Sequence, residues 1–400
     1  MANPTDELKK EFEGFSTYKL TPKKALEMTH AARGVCPVPH SNELGGFHIF
    51  LTYEDVRKGL LNWRTFSSAP SVLRPYEEGM PVFPPSSMDP PEHNPWRKIF
   101  SDGVNVSQAE RIEPLVAADI DRCLDDIASR GECDLVADLC ERVPMLAIFH
   151  ILGLEEDKHD IVRDLTLRTL SLVNQPEEFA KLFKEFGQFG LTEVNKRRAD
   201  PRDDYLTVLA EAKLGDRPLS GEEIGAAVIS LLTAGHGTTT ASMANLFYEV
   251  LRNPEIKARI QQDEALIPVA VEENLRLHHP FFGLFRRASQ DITVNGSDIK
   301  AGESVYMCWQ AGNRDPDVFE DPDTFNLDRG EFTHLSFGIG KHSCVGSATA
   351  RMEMRLALQK LLDRFADIEL IAPEAVEFEF HGAETAAIPR LPARFSPQKG

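Results

Sequence analysis

The sequence predicts a mainly α-helical protein with minor antiparallel β structure, and two observations carry that expectation. Apolar residues recur at helical spacing through the middle of the chain, over 109–127, 135–152, 176–196 and 221–251. Segments that alternate like strands are fewer and lie towards the ends, at 47–53, 292–307 and 368–380. A third observation bounds the class. The chain has 400 residues, 42% of them hydrophobic and 27% charged, which describes a globular protein with a sizeable core. One domain over 1–400 is expected, with small β regions near 45–55, 290–308 and 368–395.

In order along the chain, "FHIFLTY" at 47–53 reads as a strand. The Pro-rich stretch "APSVLRPYEEGMPVFPPSSMDPPEH" at 69–93 reads as a functional loop or lid. In the long segment 221–251, Ser220 and Glu223 form an S-x-x-E capping box, and "RNPE" stops the helix at Asn253 to Pro254. At the helical rise, about 30 residues span roughly 45 Å. "ITVNGSDIKAGESVYM" at 292–307 and "IELIAPEAVEFEF" at 368–380 read as short antiparallel pairs. The irregular stretch 313–332 leads into "FGIGKHSCVGSATARMEMRLALQKLLDRF" at 337–365.

Charge and cysteine content narrow the functional classes. The formal net charge of −19 argues against nonspecific nucleic-acid binding, which needs a basic face. The six cysteines show neither paired zinc spacing nor a dense disulfide pattern, as expected of a reducing compartment. No signal sequence is legible in "MANPTDELKKEFEGF", and no stretch approaches the roughly 20 apolar residues of a membrane span. The expectation is a cytoplasmic protein without a membrane partner.

Cys344 stands out among the cysteines. Gly338, Gly340 and Gly346 surround it, and a helical pattern with Ala348, Met352, Leu356 and Leu362 follows. A thiolate at a helix N-terminus meets free N–H groups and the positive end of the dipole, while the glycines let the main chain approach a flat ligand. Taken alone, such a cysteine is also consistent with an inert core residue beside a turn. The spacing of Phe337 seven residues before Cys344, with Gly346 two after it, closely resembles the heme-ligand loop of the cytochrome P-450 superfamily.

The resemblance extends over nearly the whole chain, with the motifs in the family's order, and is close to the soluble bacterial, camphor-hydroxylase-like branch through "PPSSMDPPEH". It implies the cytochrome P-450 fold, with heme b held between a long distal helix and the cysteine-loop helix and Cys344 as its iron ligand. Glu273 and Arg276 in "VEENLRLHHP", which alone read as a surface pair one turn apart, resemble the family's Glu-x-x-Arg pair, which is buried behind the heme and joined by a further arginine, here Arg329. His93, Arg97, Arg286 and His342 match positions that anchor the heme propionates by charge-assisted hydrogen bonds. Phe337, Gly338, Gly346 and Ala234 complete the implied heme contacts.

"LLTAGHGTTTAS" at 231–242 matches the distal helix. Gly235 and Gly237 weaken it by about 1 kcal/mol each. Thr238 is expected to turn its hydroxyl back to the carbonyl of Ala234 and open a bend for dioxygen and a water. The family usually carries Asp or Glu just before this threonine, implicated in proton relay. Here that position is Gly237, which has no titratable group. His236 is rotated by about 100° and is expected to face elsewhere. Thr238 and Gly237 are therefore the catalytic positions, with water at Gly237 expected to carry protons.

The implied reaction inserts one oxygen atom of O2 into a small to medium hydrophobic substrate, a terpenoid or an aromatic. Phe83, Ser86, Ser230, Thr233, Ala234, Phe281, Phe282, Leu284, Thr385 and Ala386 are the implied substrate contacts. The motifs fill all 400 residues, so electrons are expected from a separate ferredoxin and its NAD(P)H-dependent reductase, docking around Arg97, Lys341 and Arg351. Two alternatives stay open: a peroxide-driven or non-hydroxylating heme-thiolate enzyme, and a heme-based ligand sensor without catalysis.

Overall fold

The structure, a computed structural model, describes residues 4–75, 82–172, 176–381 and 385–397. The expected helices form where the side chains can close their ends. Asn105 accepts from the Gln108 amide to start Val106–Ala128, and the Ser220–Glu223 capping box is reciprocal, at 3.2 and 2.8 Å. Pro176–Ala199 forms as one helix.

Two of the periodic segments break. Residues 135–152 split into a π turn, Val136–Cys140, and a helix, Arg142–Leu152. Pro144 lies in the first turn of that helix, where its missing N–H costs no ladder bond. The segment 221–251 splits at His236 into Gly221–Gly235 and Gly237–Arg252. The poorest helix formers of the run sit at that junction.

The β structure is more mixed than the antiparallel pairs expected. In the five-stranded sheet, Phe47–Phe50 runs antiparallel to His40–Ser41 but parallel to Ser304–Met307, with Ser304 opposite Phe47. Leu284–Ala288 and Phe66–Ser67 complete it in antiparallel register. A parallel pair needs a long connection, and here most of the helical chain supplies it. Ile292–Val294 and Ser297–Ile299 form the expected hairpin, turning through Asn295 and Gly296, both at positive φ. Residues 368–380 do not pair with themselves. Glu369–Leu370 joins Pro392–Arg394, and Glu379–His381 joins Thr385–Ala387, the two parted by a left-handed turn at Ala372 and by Pro373.

The largest apolar core lies among Val106–Ala128, Gly237–Arg252, Leu266–Leu277 and the helix Ser347–Arg364. Among the described residues, no helix is long and apolar enough to cross a membrane.

Candidate functional site

The loop before Ser347–Arg364 is built on backbone conformations that glycine permits. Gly338 and Gly340 have φ of 62° and 74°. A Cβ on Gly338 would lie 3.3 Å from the His342 carbonyl, and one on Gly340 would lie 3.3 Å from Leu61. The Cys344 N–H donates to the Phe337 carbonyl at 2.7 Å, closing the loop.

Cys344 is exposed, whereas the other five cysteines are buried. Yet burial pushes its thiol pKa up, against the opposing pull of the Gly346 N–H and of Arg97 and Arg351. The thiol is thus accessible and yet surrounded by protein. Desolvation outweighs the N–H and the two guanidiniums, so a bound cation is what would favour the thiolate.

Four basic side chains converge beside this loop. His93 is 1% exposed, its ring lies 4.7 Å from that of His342, and neither ring nitrogen has a partner among the described residues. Burial and the neighbouring His342 lower its pKa to about 4. Arg97 donates to the Ser343 carbonyl and, at 3.3 Å, to its hydroxyl. Arg286 is buried, donates to the Phe285 carbonyl at 2.7 Å, and is lowered to about 10 by burial. The one carboxylate in their midst is Asp89, 3.5 Å from His342 and bonded to Ser67 and Ser68. With two guanidiniums and two imidazoles around one carboxylate, both ring nitrogens of His93 and Nε2 of His342 have no partner among the described residues. Buried polar groups are rarely left so, and further anionic oxygens would complete the set.

The Glu273–Arg276 pair is no surface pair. Both side chains are 0% exposed and joined in a fork of two 2.8 Å bonds. Arg329 adds bonds of 3.0 and 3.1 Å to the same carboxylate, and the Asn326 N–H adds one of 3.0 Å. Arg276 spends its remaining donors on the carbonyls of Asn313, Pro322 and Thr324. A buried trio is tolerated only when so satisfied.

Sequence reasoning missed the ties that run from this trio to the cysteine loop. Arg351, on the cysteine helix, grips Glu272 at 2.6 and 2.9 Å and lies 4.5 Å over the Phe337 ring. Asn313 accepts from the Leu335 N–H and donates to the Ser336 hydroxyl. His279 bonds the Ser336 carbonyl at 2.5 Å. Glu272 was legible only as the neighbour of Glu273. Asn313 and His279 carry no motif.

On the distal side, the Thr238 hydroxyl donates to the Ala234 carbonyl at 2.6 Å, beside the break at His236. Ser230, Ala234 and Thr238 follow at i, i+4 and i+8 on one face. Ala234 is exposed and Thr238 half-buried. The two glycines differ in kind. A Cβ on Gly235 would lie 3.1 Å from Ile148, so this glycine allows close helix packing, whereas a Cβ on Gly237 would meet nothing within 4 Å. His236 points away, its Nε2 3.1 Å from the Glu141 carbonyl.

The expected substrate contacts separate. Phe83 is half-buried against the main core and Ser86 is exposed. Phe281 and Leu284 are half-buried at the cluster under the five-stranded sheet. The Thr233 hydroxyl is turned back to the Ile229 carbonyl at 2.7 Å. Ser230 is buried, and its hydroxyl has no partner among the described residues. Phe282 is a correction: at 2% exposed it packs between Phe15 and Phe380, an ordinary core aromatic. Ala386 is 4% exposed and fixed by its N–H to the Pro280 carbonyl, so it too presents little surface. The Thr385 side chain lies outside the described residues. The basic docking surface is also corrected: Arg97 turns inward and Arg351 is committed to Glu272, leaving Lys341 exposed.

The family model described as Cytochrome P450 matches residues 164–393. Cytochrome P450 107B1 of Saccharopolyspora erythraea is 33% identical over 375 residues, covering 90% of this chain and 92% of that one. The mycinamicin IV hydroxylase/epoxidase of Micromonospora griseorubida is 33% identical, covering 80% and 83%. The crystal structure of CYP108D1 from Novosphingobium aromaticivorans superposes with a TM-score of 0.85 at 26% identity, over 100% of this chain and 99% of that one. The chain belongs to the cytochrome P450 family, whose monooxygenases use heme b with a cysteine thiolate ligand. The glycine-lined loop, the accessible thiol and the orphaned nitrogens of His93 fit such a group.

Proposed function

We propose that this chain is a heme-thiolate monooxygenase for a small to medium hydrophobic substrate, a terpenoid or an aromatic, in which Cys344 is the heme ligand. One observation carries the reading: the only exposed cysteine ends a glycine loop beside four converging basic side chains, among which both His93 ring nitrogens and His342 Nε2 have no partner among the described residues.

When bound, heme supplies the activation of dioxygen and the transfer of one of its atoms. His93, Arg97, Arg286 and His342 would hold the two propionates, and the Glu273–Arg276–Arg329 trio would fix the loop that presents Cys344. Thr238 holds a proton at its hydroxyl, which the Ala234 carbonyl orients. Because Gly237 has no side chain, water in the open space beside it would bring protons to Thr238. Phe83, Phe281, Leu284 and Ala234 would enclose the substrate and exclude water, with Ser230 as a polar group on the same distal helix face as Ala234. The electron donor would be a ferredoxin with an NAD(P)H-dependent reductase, in the cytoplasm, with Lys341 at the contact.

The test is the substrate-induced low-to-high-spin shift over terpenoids, aromatics, fatty acids and steroids. Saturable shifts with compact terpenoids or aromatics support the reading, and shifts confined to fatty acids or steroids overturn its substrate class. A second reading, a peroxide-driven enzyme, is favoured by Gly237 in the place of an acid. Turnover with peroxide and none with ferredoxin, reductase and NAD(P)H would select it.

A further inference from the structure

His279 lies just past the end of the helix Leu266–Leu277 and is 2% exposed. Its Nδ1 is 2.6 Å from the Phe281 carbonyl and its Nε2 is 2.5 Å from the Ser336 carbonyl. A carbonyl oxygen only accepts, so each nitrogen has to donate, and a neutral imidazole carries a single N–H. Turning the ring over does not help. It would set C–H groups against the same two oxygens, well inside the roughly 3.3–3.6 Å at which carbon and oxygen meet. Both bonds are made only by the doubly protonated imidazolium.

The surroundings hold the two oxygens where they are. Ser336 has every polar group engaged: its N–H donates to His334 Nδ1 at 3.1 Å, its hydroxyl donates to the Leu275 carbonyl at 2.6 Å, and that hydroxyl accepts from Asn313 at 2.8 Å. His334, accepting at Nδ1, presents Nε2–H to Glu272 at 3.2 Å and is neutral in this arrangement. Gln310 fixes the His279 backbone by donating to its carbonyl at 2.8 Å. Among the described residues no carboxylate pairs with the His279 ring, but the Trp309 ring lies 4.7 Å away, and aromatic rings attract cations at that range. Burial pushes the pKa of His279 down to about 4, while the two carbonyls pull it up. Loss of the second proton would leave a nitrogen lone pair facing a carbonyl oxygen that is tied down on every side.

This ring joins the two sides of the site. Ser336 precedes Phe337, whose carbonyl accepts the Cys344 N–H at 2.7 Å, and Phe281 is one of the residues assigned above to the substrate enclosure. We propose that His279 is a positioning residue, held at neutral pH as an imidazolium that clamps the Ser336 and Phe281 carbonyls together, and that its buried charge behind the cysteine loop raises the reduction potential of bound heme. A fixed positive charge favours the state that carries one more electron, and charge and hydrogen bonding beyond the ligand itself are established levers on heme potential. The electron is the one that the external donor passes to ferric heme to give ferrous heme. No bond is made or broken at His279. The inference rests on the monooxygenase reading above.

The experiment uses the heme-bound full chain. Its reduced carbon monoxide complex is diamagnetic, so nitrogen NMR on isotopically labelled histidine reads the protonation of each ring. The His279 signals are assigned by their loss in His279→Gln, or by proximity to the Trp309 ring protons if that variant fails to hold heme. Both His279 nitrogens should carry a hydrogen at neutral pH, and one bare nitrogen overturns the proposal. Redox titration without substrate then reads the charge. His279→Gln keeps a donor but no charge and should shift the potential to more negative values. His279→Lys keeps both charge and donors and should bring it back towards wild type, with the spin state of each variant checked from its absorption. An unchanged potential in His279→Gln, or an equal drop in both variants, overturns the proposal. If neither variant retains heme, the nitrogen spectrum of the wild type decides alone. The carbon monoxide band separates this outcome from the reading beneath it: a wild type without the red-shifted Soret band fails the monooxygenase reading, while the nitrogen spectrum still decides the clamp.

Discussion

The Thr238 hydroxyl donates to the Ala234 carbonyl at 2.6 Å, two residues from the point where the distal helix breaks at His236. This hydrogen bond spends the hydroxyl's one proton on the helix and leaves its lone pairs free to accept from water. Thr238→Val removes the hydroxyl with little change of volume. Proton transfer by a positioned group contributes about 10²–10⁴-fold to rate. The variant should therefore consume NAD(P)H but divert most of it to peroxide, cutting product per NAD(P)H by about tenfold or more. Product and peroxide, titrated in the same reaction, check this.

Gly235 and Gly237 should respond oppositely to alanine. At Gly235 the new Cβ would press on Ile148 at 3.1 Å, and overpacking of this kind costs about 1–3 kcal/mol. At Gly237 it would enter open space, where the helix propensity of Ala over Gly is worth up to about 1 kcal/mol. Thermal unfolding of the two heme-free variants should show a lowered midpoint for Gly235→Ala and an unchanged or raised one for Gly237→Ala.

Arg276→Ala would leave the Glu273 carboxylate buried with Arg329 and the Asn326 N–H as its partners. Removing one partner of a buried ion pair costs about 3–5 kcal/mol, and the carbonyls of Asn313, Pro322 and Thr324 would lose their donor as well. The expected outcome is a chain that no longer retains heme, read as the ratio of Soret to protein absorbance after purification. Arg276→Lys should not rescue it, because lysine cannot make the two-bond fork.

Acid should loosen the cysteine helix from its neighbour at Glu272. Burial pushes this carboxyl up, but the bonds from Arg351 and His334 outweigh it and hold the pKa down from 4.5 to about 2. A depressed carboxylate pKa contributes stability that is present above about 4.5 and lost as pH falls towards about 2. Glu272→Gln should therefore lower stability at neutral pH and flatten its pH dependence within that window. Urea unfolding across the window measures both.

The fold class and the cysteine loop were legible because they depend on local pattern: helical periodicity, the capping box at Ser220 and the glycines that place Cys344. The Glu273–Arg276 spacing was legible too, whereas its burial was implied only by the family resemblance, since spacing along one helix does not say what covers it. The parallel pairing of Phe47–Phe50 with Ser304–Met307 depends on a contact between distant segments that no local pattern encodes. For the same reason, Phe282 read as a pocket residue although it packs in the core, and Arg351 read as a docking cation although it grips Glu272. His236 stood out only as facing elsewhere, and its unpaired nitrogen appears once the neighbours are placed.

The central claim is that Cys344 binds heme as a thiolate. The carbon monoxide complex of the reduced protein tests it most directly. The wild type should show the red-shifted Soret band of thiolate ligation, and Cys344→Ala should lose it. An unshifted band in folded, heme-loaded wild type would contradict it.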